Sequence, residues 1–238
     1  MTPYYAKRAL ETLNKKGVSE LCKQTIHVIK YELPKRPVWW IKYGKIRPKP
    51  KEILFIDPKY LDYHISNSYF PDNSPHYGII DGTWDLEKIH WTDTFFYGLV
   101  ERFEEGKEWE NTEYYQSCIE KLESGKGYAG LDGPQTISNF KQYLDELDQL
   151  YDDIKSNGYS ADHPIDVSIG RKGEWMVNHG NHRRAILKIV DINEVPVRIK
   201  YRHKKWQELR YEIYNSGLSK EHSRELRNHP DLRNIIDG

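Results

Sequence analysis

Apolar and polar positions alternate most legibly between residues 163 and 201. In "HPIDVSIG" Ile165, Val167 and Ile169 recur every second residue, the period of a strand with one buried face. "RKG" then predicts a hairpin turn and "EWMVN" the returning strand. Gly180 breaks that strand. "NHRRAILKIV" switches to a helical period, with Ala185, Ile186, Ile189 and Val190 on one face. After the turn "DINE", Val195, Val197 and Ile199 alternate again. The predicted order is strand, turn, strand, Gly turn, helix, strand.

Elsewhere the pattern is mostly helical. Residues 3–31 read as one or two amphipathic helices broken near Gly17, with Ala9, Leu10, Leu13, Val18, Leu21, Ile26 and Ile29 at helical spacing. Their lysine-rich side suits an ordinary docking helix or contact with a membrane surface. Residues 33–52 carry Pro34, Pro37, Pro48 and Pro50 among lysines and predict an extended arm, with Trp39 and Trp40 packed on the main body. "EILFIDP" and "YGIIDGTWDL" predict short strands. Residues 92–125 predict two helices stopped at Gly106 and Gly125, the second capped by Thr112. A Gly-rich connection follows at 125–134. A longer helix over about 136–157 has Phe140, Leu144, Leu147 and Ile154 inward and a solvated acidic face. "KKWQELRYEIYNSG" predicts a last helix with Trp206, Leu209 and Ile213 inward, followed by a polar tail that is a short helix or frays.

The division that results is 1–52, N-terminal helices and arm; 53–202, the core with a helical insertion at about 92–157; and 203–238, a C-terminal helix and tail. At 238 residues the chain suits one elaborated domain. Only 37% is hydrophobic, so 18 Tyr, 7 Trp and 6 Phe supply much of the apolar volume. Thirty-six basic residues balance thirty-six acidic ones, which removes any global electrostatic argument for nucleic acid and leaves only local basic runs, "RPKPK" and "RIKYRHKK". Cys22 and Cys118 lack metal-ligand spacing. No apolar run approaches a membrane span and no leader pattern is visible, so a cytoplasmic protein is expected.

The chemistry concentrates in Asn178-His179-Gly180-Asn181-His182-Arg183-Arg184. Glycine between strand and helix permits a tight reversal and close backbone approach. The helix start supplies N–H groups without intrahelical acceptors and the positive end of a dipole, which together attract anions. Cations at that end oppose the dipole, an arrangement that makes sense if phosphate completes it. The alternative is that Arg183 or Arg184 pairs with Asp81, Asp85 or an acid of the 136–157 helix. A His179/His182 metal site is a further alternative.

Residues 147–201 resemble the core of the ParB/sulfiredoxin-like superfamily. The resemblance rests on a helix ending in a Gly turn, Pro-Ile-x-Val, a strand running into a Gly-x-His-Arg turn, an apolar helix and a final Val-Pro-Val strand. It implies an α/β (α+β) fold, a small mixed sheet with the Gly turn and helix, to which the arm and helical insertion are added. It also implies nucleotide binding through the turn, with Gly180, Asn181, His182 and Arg183 at the phosphate-contacting places. The sulfinic-acid reductases of this superfamily need cysteine where this chain has Asn181, and the partition clamps carry a downstream DNA-reading domain. The free-serine-kinase branch has the closer turn.

The expectation is therefore a nucleotide-binding enzyme, a Mg-dependent phosphotransferase or nucleoside triphosphatase using ATP or another nucleoside triphosphate and a small-molecule acceptor. Arg183, Arg184 and the helix-start amides would hold the phosphates, and His182 would donate to a phosphate oxygen. A carboxylate at a strand end, Asp57, Asp81 or Asp85, would take the acceptor proton, and Asp81 and Asp85 would hold Mg. Each of these acids equally suits a turn. The alternatives are a DNA-binding nuclease or clamp and a non-catalytic, nucleotide-switched interaction protein.

Overall fold

A computed structural model describes residues 3–71, 74–125, 133–218 and 224–236. In chain order its elements are α1 (Pro3–His27), α2 (Lys35–Tyr43), β1 (Ile53–Ile56), β2 (Tyr63–His64), β3 (Gly78–Ile80), β4 (Ile89–His90), α3 (Gly98–Phe103), α4 (Glu113–Glu123), α5 (Ile137–Asn157), β5 (Ile165–Ile169), β6 (Trp175–His179), α6 (Asn181–Ile189), β7 (Val195–His203), α7 (Lys204–Ser216), α8 (Arg224–Arg227) and α9 (Pro230–Ile236). The strands form one mixed sheet, ordered β1-β7-β5-β6-β2-β4, with β3 also on β7. β5 and β6 are an antiparallel hairpin, while β5 and β7 run parallel. The strand, helix, strand run expected at 163–201 is present, and so is the expected mixed α/β class.

Alternation along the strands separates two faces. Ile165, Val167, Ile169, Trp175, Val177, Val195, Val197 and Ile199 enter the main core with Phe140, Leu144, Leu147 and Ile154 of α5 and Ala185, Ile186 and Leu187 of α6. The opposite face offers Met176, covered by Ile65, Phe70, Ile80 and Trp84 from the chain around β2 and β3. Thr112 and Thr136 cap α4 and α5 through their side-chain oxygens, as their Thr-before-helix placement suggests.

Several expectations change. Residues 35–43 are helical rather than an extended arm. Pro34 and Pro37 sit where helix N–H groups have no intrahelical acceptor, so they permit a helix start. Trp39 is buried as expected, against β3. A Cβ at Gly78 would lie 2.1 Å from its ring, so that position must stay glycine. Trp40 is exposed. The first of the two helices expected at 92–125 is shortened to α3, preceded by 3-10 turns at Trp91–Asp93 and Phe95–Tyr97. Residues 126–132 of the Gly-rich connection lie outside the described residues. The break near Gly17 is present as a non-helical residue inside α1.

The C-terminal tail does not fray over its described part. α9 buries Asp231 and Leu232 against the core. Asp231 accepts from Arg202 Nε (2.9 Å) and Trp206 Nε1 (2.8 Å) and meets Arg210 Nε at 3.1 Å. Arg202 also forks onto Glu52, at 2.8 and 2.9 Å. Burial alone would raise the Asp231 pKa, but Arg202 and Arg210 hold it far below the usual carboxylate range. The "RIKYRHKK" run is only partly a solvated basic stripe: Arg198 pairs with Asp166 and Arg202 is buried, while Lys204, paired with Asp81, and Lys205 are exposed. Removing one member of such a cluster strands the others. Asp231→Ala is expected to lose about 3–5 kcal/mol of unfolding free energy in a denaturant titration.

Candidate functional site at the start of α6

Gly180 adopts φ 98°, ψ 31°, the left-handed region that a residue with a Cβ enters at a cost. That reversal turns β6 directly into α6. The first intrahelical bond runs from Arg184 N–H to the Gly180 carbonyl at 2.9 Å, so the amides of residues 181–183 have no acceptor within the helix. The first turn has no acidic residue, and no side chain caps it. Its donors and dipole end are uncompensated locally.

The three side chains after Asn181 meet different surroundings. His182 is enclosed by the insertion: Nε2 lies 2.7 Å from the Tyr114 hydroxyl on α4 and Nδ1 3.2 Å from the Tyr143 hydroxyl on α5. Its ring stands edge-on to Phe96, Tyr114 and Tyr143. Burial, then the charges of His179, Arg183 and Arg184, pushes its pKa down to about 3. Both ring nitrogens are engaged by tyrosines, so the phosphate-donor role expected for His182 is not what this geometry offers.

Arg183 folds back over Gly180, and its Nη1 donates to the Tyr159 hydroxyl (3.1 Å) and the His163 carbonyl (2.5 Å). Arg184 is fully buried, and none of its three guanidinium nitrogens has a hydrogen-bond partner. Its guanidinium stands 5.7 Å from the Trp91 ring centre. The carboxylate that favours its charge, Asp62, is already paired with Lys188 at 2.8 Å. Burial pulls the Arg184 pKa down to about 9. Beside it, burial and then the Arg184 charge lower the pKa of His64, and the Oδ1 of Asn181 is buried without a partner.

On the opposite face of the sheet, Asn178 and His179 border a polar cleft of about 430 Å³ with Asp166, Lys200, Tyr201, Phe70 and Ser74. Asn178 Oδ1 accepts from Ser168 Oγ (2.7 Å), while Asn178 Nδ2 and Ser74 Oγ are buried without partners. Asp166 sits across from His179 in the β5–β6 register and receives Arg198 Nε at 2.5 Å. Asp166 was missed from sequence. The available signal was an acid at an alternate position of a predicted strand, flanked by Ile165 and Val167.

The acids expected to serve the turn lie elsewhere. Asp57 caps Lys59 N–H (2.9 Å) in the turn after β1 and pairs with the Lys59 ammonium. Asp81 accepts from Gly82 N–H (2.9 Å) and Lys204 (2.8 Å), which lower its pKa, Lys204 foremost. Asp85 is buried. Burial would raise its pKa, but Arg171 clamps it through backbone (2.8 Å) and guanidinium (2.6 Å) and brings it down. Arg171 belongs to the hairpin before β6, and Gly180 follows β6, so a strand length of roughly 15 Å separates Asp85 from the turn. Each carboxylate is closed by a cation, and Asp81 and Asp85 do not fit a Mg site serving the turn. His179 is exposed and His182 enclosed, so a shared metal is not offered there.

Comparison with family models, with curated proteins and with solved structures gave no match to this chain.

The low His182 pKa has a consequence for stability. Its ordinary value is 6.5 and its folded value about 3, so the unfolded chain takes up the proton first as pH falls. Stability is complete above pH 6.5 and declines toward pH 3, by up to about 1.4 kcal/mol per pH unit from this group. Denaturant titrations across that window are expected to show a shallower pH slope in His182→Gln than in the unsubstituted chain.

Proposed function

We propose that the chain binds a phosphorylated small molecule, a nucleoside triphosphate in the first instance, and transfers or hydrolyses its terminal phosphoryl group. One observation carries this: the buried Arg184, without hydrogen-bond partners, stands behind a helix start that has no acid and no cap. An unpaired buried cation costs several kcal/mol, and an anion at the adjoining amides lowers that cost through the low-dielectric interior. The ordered run β5, hairpin, β6, Gly180 turn, α6, β7 supports a ParB/sulfiredoxin-like arrangement, in which phosphates lie at this turn.

The amides of residues 181–183 and the Arg183 guanidinium would hold phosphate, with Arg184 supplying field rather than direct contact. Asn178, His179 and Lys200 would orient the rest of the ligand in the cleft. Asp166, although Arg198 holds its Oδ1, lines the cleft with Asn178 and His179 as Asp57, Asp81 and Asp85 do not, and would be the acid to accept a proton from an attacking hydroxyl. His182 positions α6 by tying it to α4 and α5. A nucleic-acid role has less to draw on in the 198–205 run, where Arg198 pairs with Asp166, Arg202 is buried on Asp231 and Lys204 pairs with Asp81. The interaction-protein reading keeps one specific support, the exposed apolar side chains of Ile26, Ile29, Val38, Trp40 and Ile41 along the N-terminal helices.

Thermal unfolding with ATP, CTP, GTP and ADP, each with and without Mg, tests the proposal. One nucleotide at about 100 times its Kd is expected to add about 2.7 kcal/mol. Arg183→Ala should abolish that shift. Asp166→Asn should keep the shift and lose nucleoside diphosphate release. Arg184→Met should raise ligand-free stability by about 1–4 kcal/mol while weakening the nucleotide shift. No shift with any nucleotide overturns the proposal. A shift without turnover, unaffected by Asp166→Asn, favours the switched interaction protein.

A further inference from the structure

A second cluster of chemistry stands apart from the α6 turn. α1 ends at His27 and continues as a π-helical turn, Val28–Glu32, closed by Leu33 N–H on the Val28 carbonyl at 3.0 Å. On an α-helix, residues five apart point about 140° away from each other. The wider π turn brings position i+5 back toward i, so Glu32 comes round beneath His27. Such turns are concentrated at functional sites. The third group arrives from the loop before β3: His76 donates its backbone N–H to Glu32 Oε1 at 2.9 Å, and its ring Nδ1 meets the same oxygen. The His27 and His76 rings are 4.6 Å apart.

One potential ligand atom from each of His27, Glu32 and His76 lies within 4.8 Å of the other two. Glu32 is 1% exposed, and the two histidines are partly buried. Arg36 pairs with the other oxygen of Glu32, Oε2, at 3.9 Å. Two imidazoles and one carboxylate form a three-ligand set that zinc takes with a further position open. Bonds of about 2.0–2.2 Å in tetrahedral geometry put ligand atoms roughly 3.3 Å apart, so side-chain rotations of an ångström or so complete the site. Mixed nitrogen and oxygen donors disfavour Mg and Ca, and the lack of thiolate disfavours Cu(I).

We propose that His27, Glu32 and His76 bind one divalent transition-metal ion, Zn²⁺ in the first instance, which fastens the end of α1 to the loop before β3. The ion joins two segments that are distant in sequence. The site is independent of the phosphate reading, since it shares no residue with the α6 turn or its cleft.

The test uses the full chain after chelator treatment, titrated with Co²⁺ and then Zn²⁺. One Co²⁺ per chain is expected, with visible d–d absorption of a four- or five-coordinate nitrogen and oxygen site, displaced by Zn²⁺. His76→Ala and Glu32→Gln should each weaken Zn²⁺ binding by at least ~100-fold, whereas His90→Ala leaves it unchanged. Far-UV circular dichroism establishes that each variant is folded, and the titration of the unsubstituted chain stands without them. Absence of stoichiometric Co²⁺ and Zn²⁺ binding overturns the proposal. So does binding that survives intact in folded His76→Ala and Glu32→Gln.

Discussion

β7 carries backbone donors and acceptors along two edges, on every residue but Pro196 for the donors, and its burial leaves them little water to bond. β5 satisfies one edge. The other is shared in sequence, β1 along Val195–Arg198 and β3 along Tyr201–His203. That single requirement recruits segments from both ends of the chain. It sets β5 beside β7, so the hairpin to β6 can deliver Gly180 at the sheet's end. α6 must then return over the face that carries Val167, Val177 and Val197, since its Ala185, Ile186 and Leu187 have nowhere else to bury.

Two buried arginines show how differently the same cost is met. Arg202, at the far end of β7, is enclosed by Asp231 and Glu52, and their attraction outweighs the desolvation of its charge. It is a structural rivet joining the N-terminal segment, the last strand and α9. Arg184 is equally buried, yet its hydrogen-bonding capacity goes unused and its pKa falls. The contrast is the physical basis of the proposal that the start of α6 binds an anion.

The helical insertion has a clear structural role around that site. α4 and α5 contribute Tyr114 and Tyr143, whose hydroxyls meet the two ring nitrogens of His182, while burial keeps that ring neutral. Fixing His182 fixes the rotation of α6 and hence the directions of Arg183 and Arg184. Successive helical residues differ by about 100°, so these three neighbours face an aromatic cage, the 159–163 loop and the Trp91–Asp62 interior respectively.

Local periodicity determined a good deal of this protein. The β5-to-β7 run, the inward face of α5, the Thr112 cap, the break at Gly17 and the location of the glycine turn were all legible, because each depends on neighbours within a few residues. Tertiary structure decided the rest. Whether His182 touches phosphate or tyrosine depends on α4 and α5. Whether Asp85 holds a metal or Arg171 depends on a partner 86 residues away. Trp39 of the 35–43 helix packs against Gly78 of a distant strand, and the Glu52–Arg202 pair spans 150 residues. Such pairings leave no periodic trace in the chain, because a charge or ring takes its role from whatever the fold sets opposite it, and that is settled only when the sheet closes around β7.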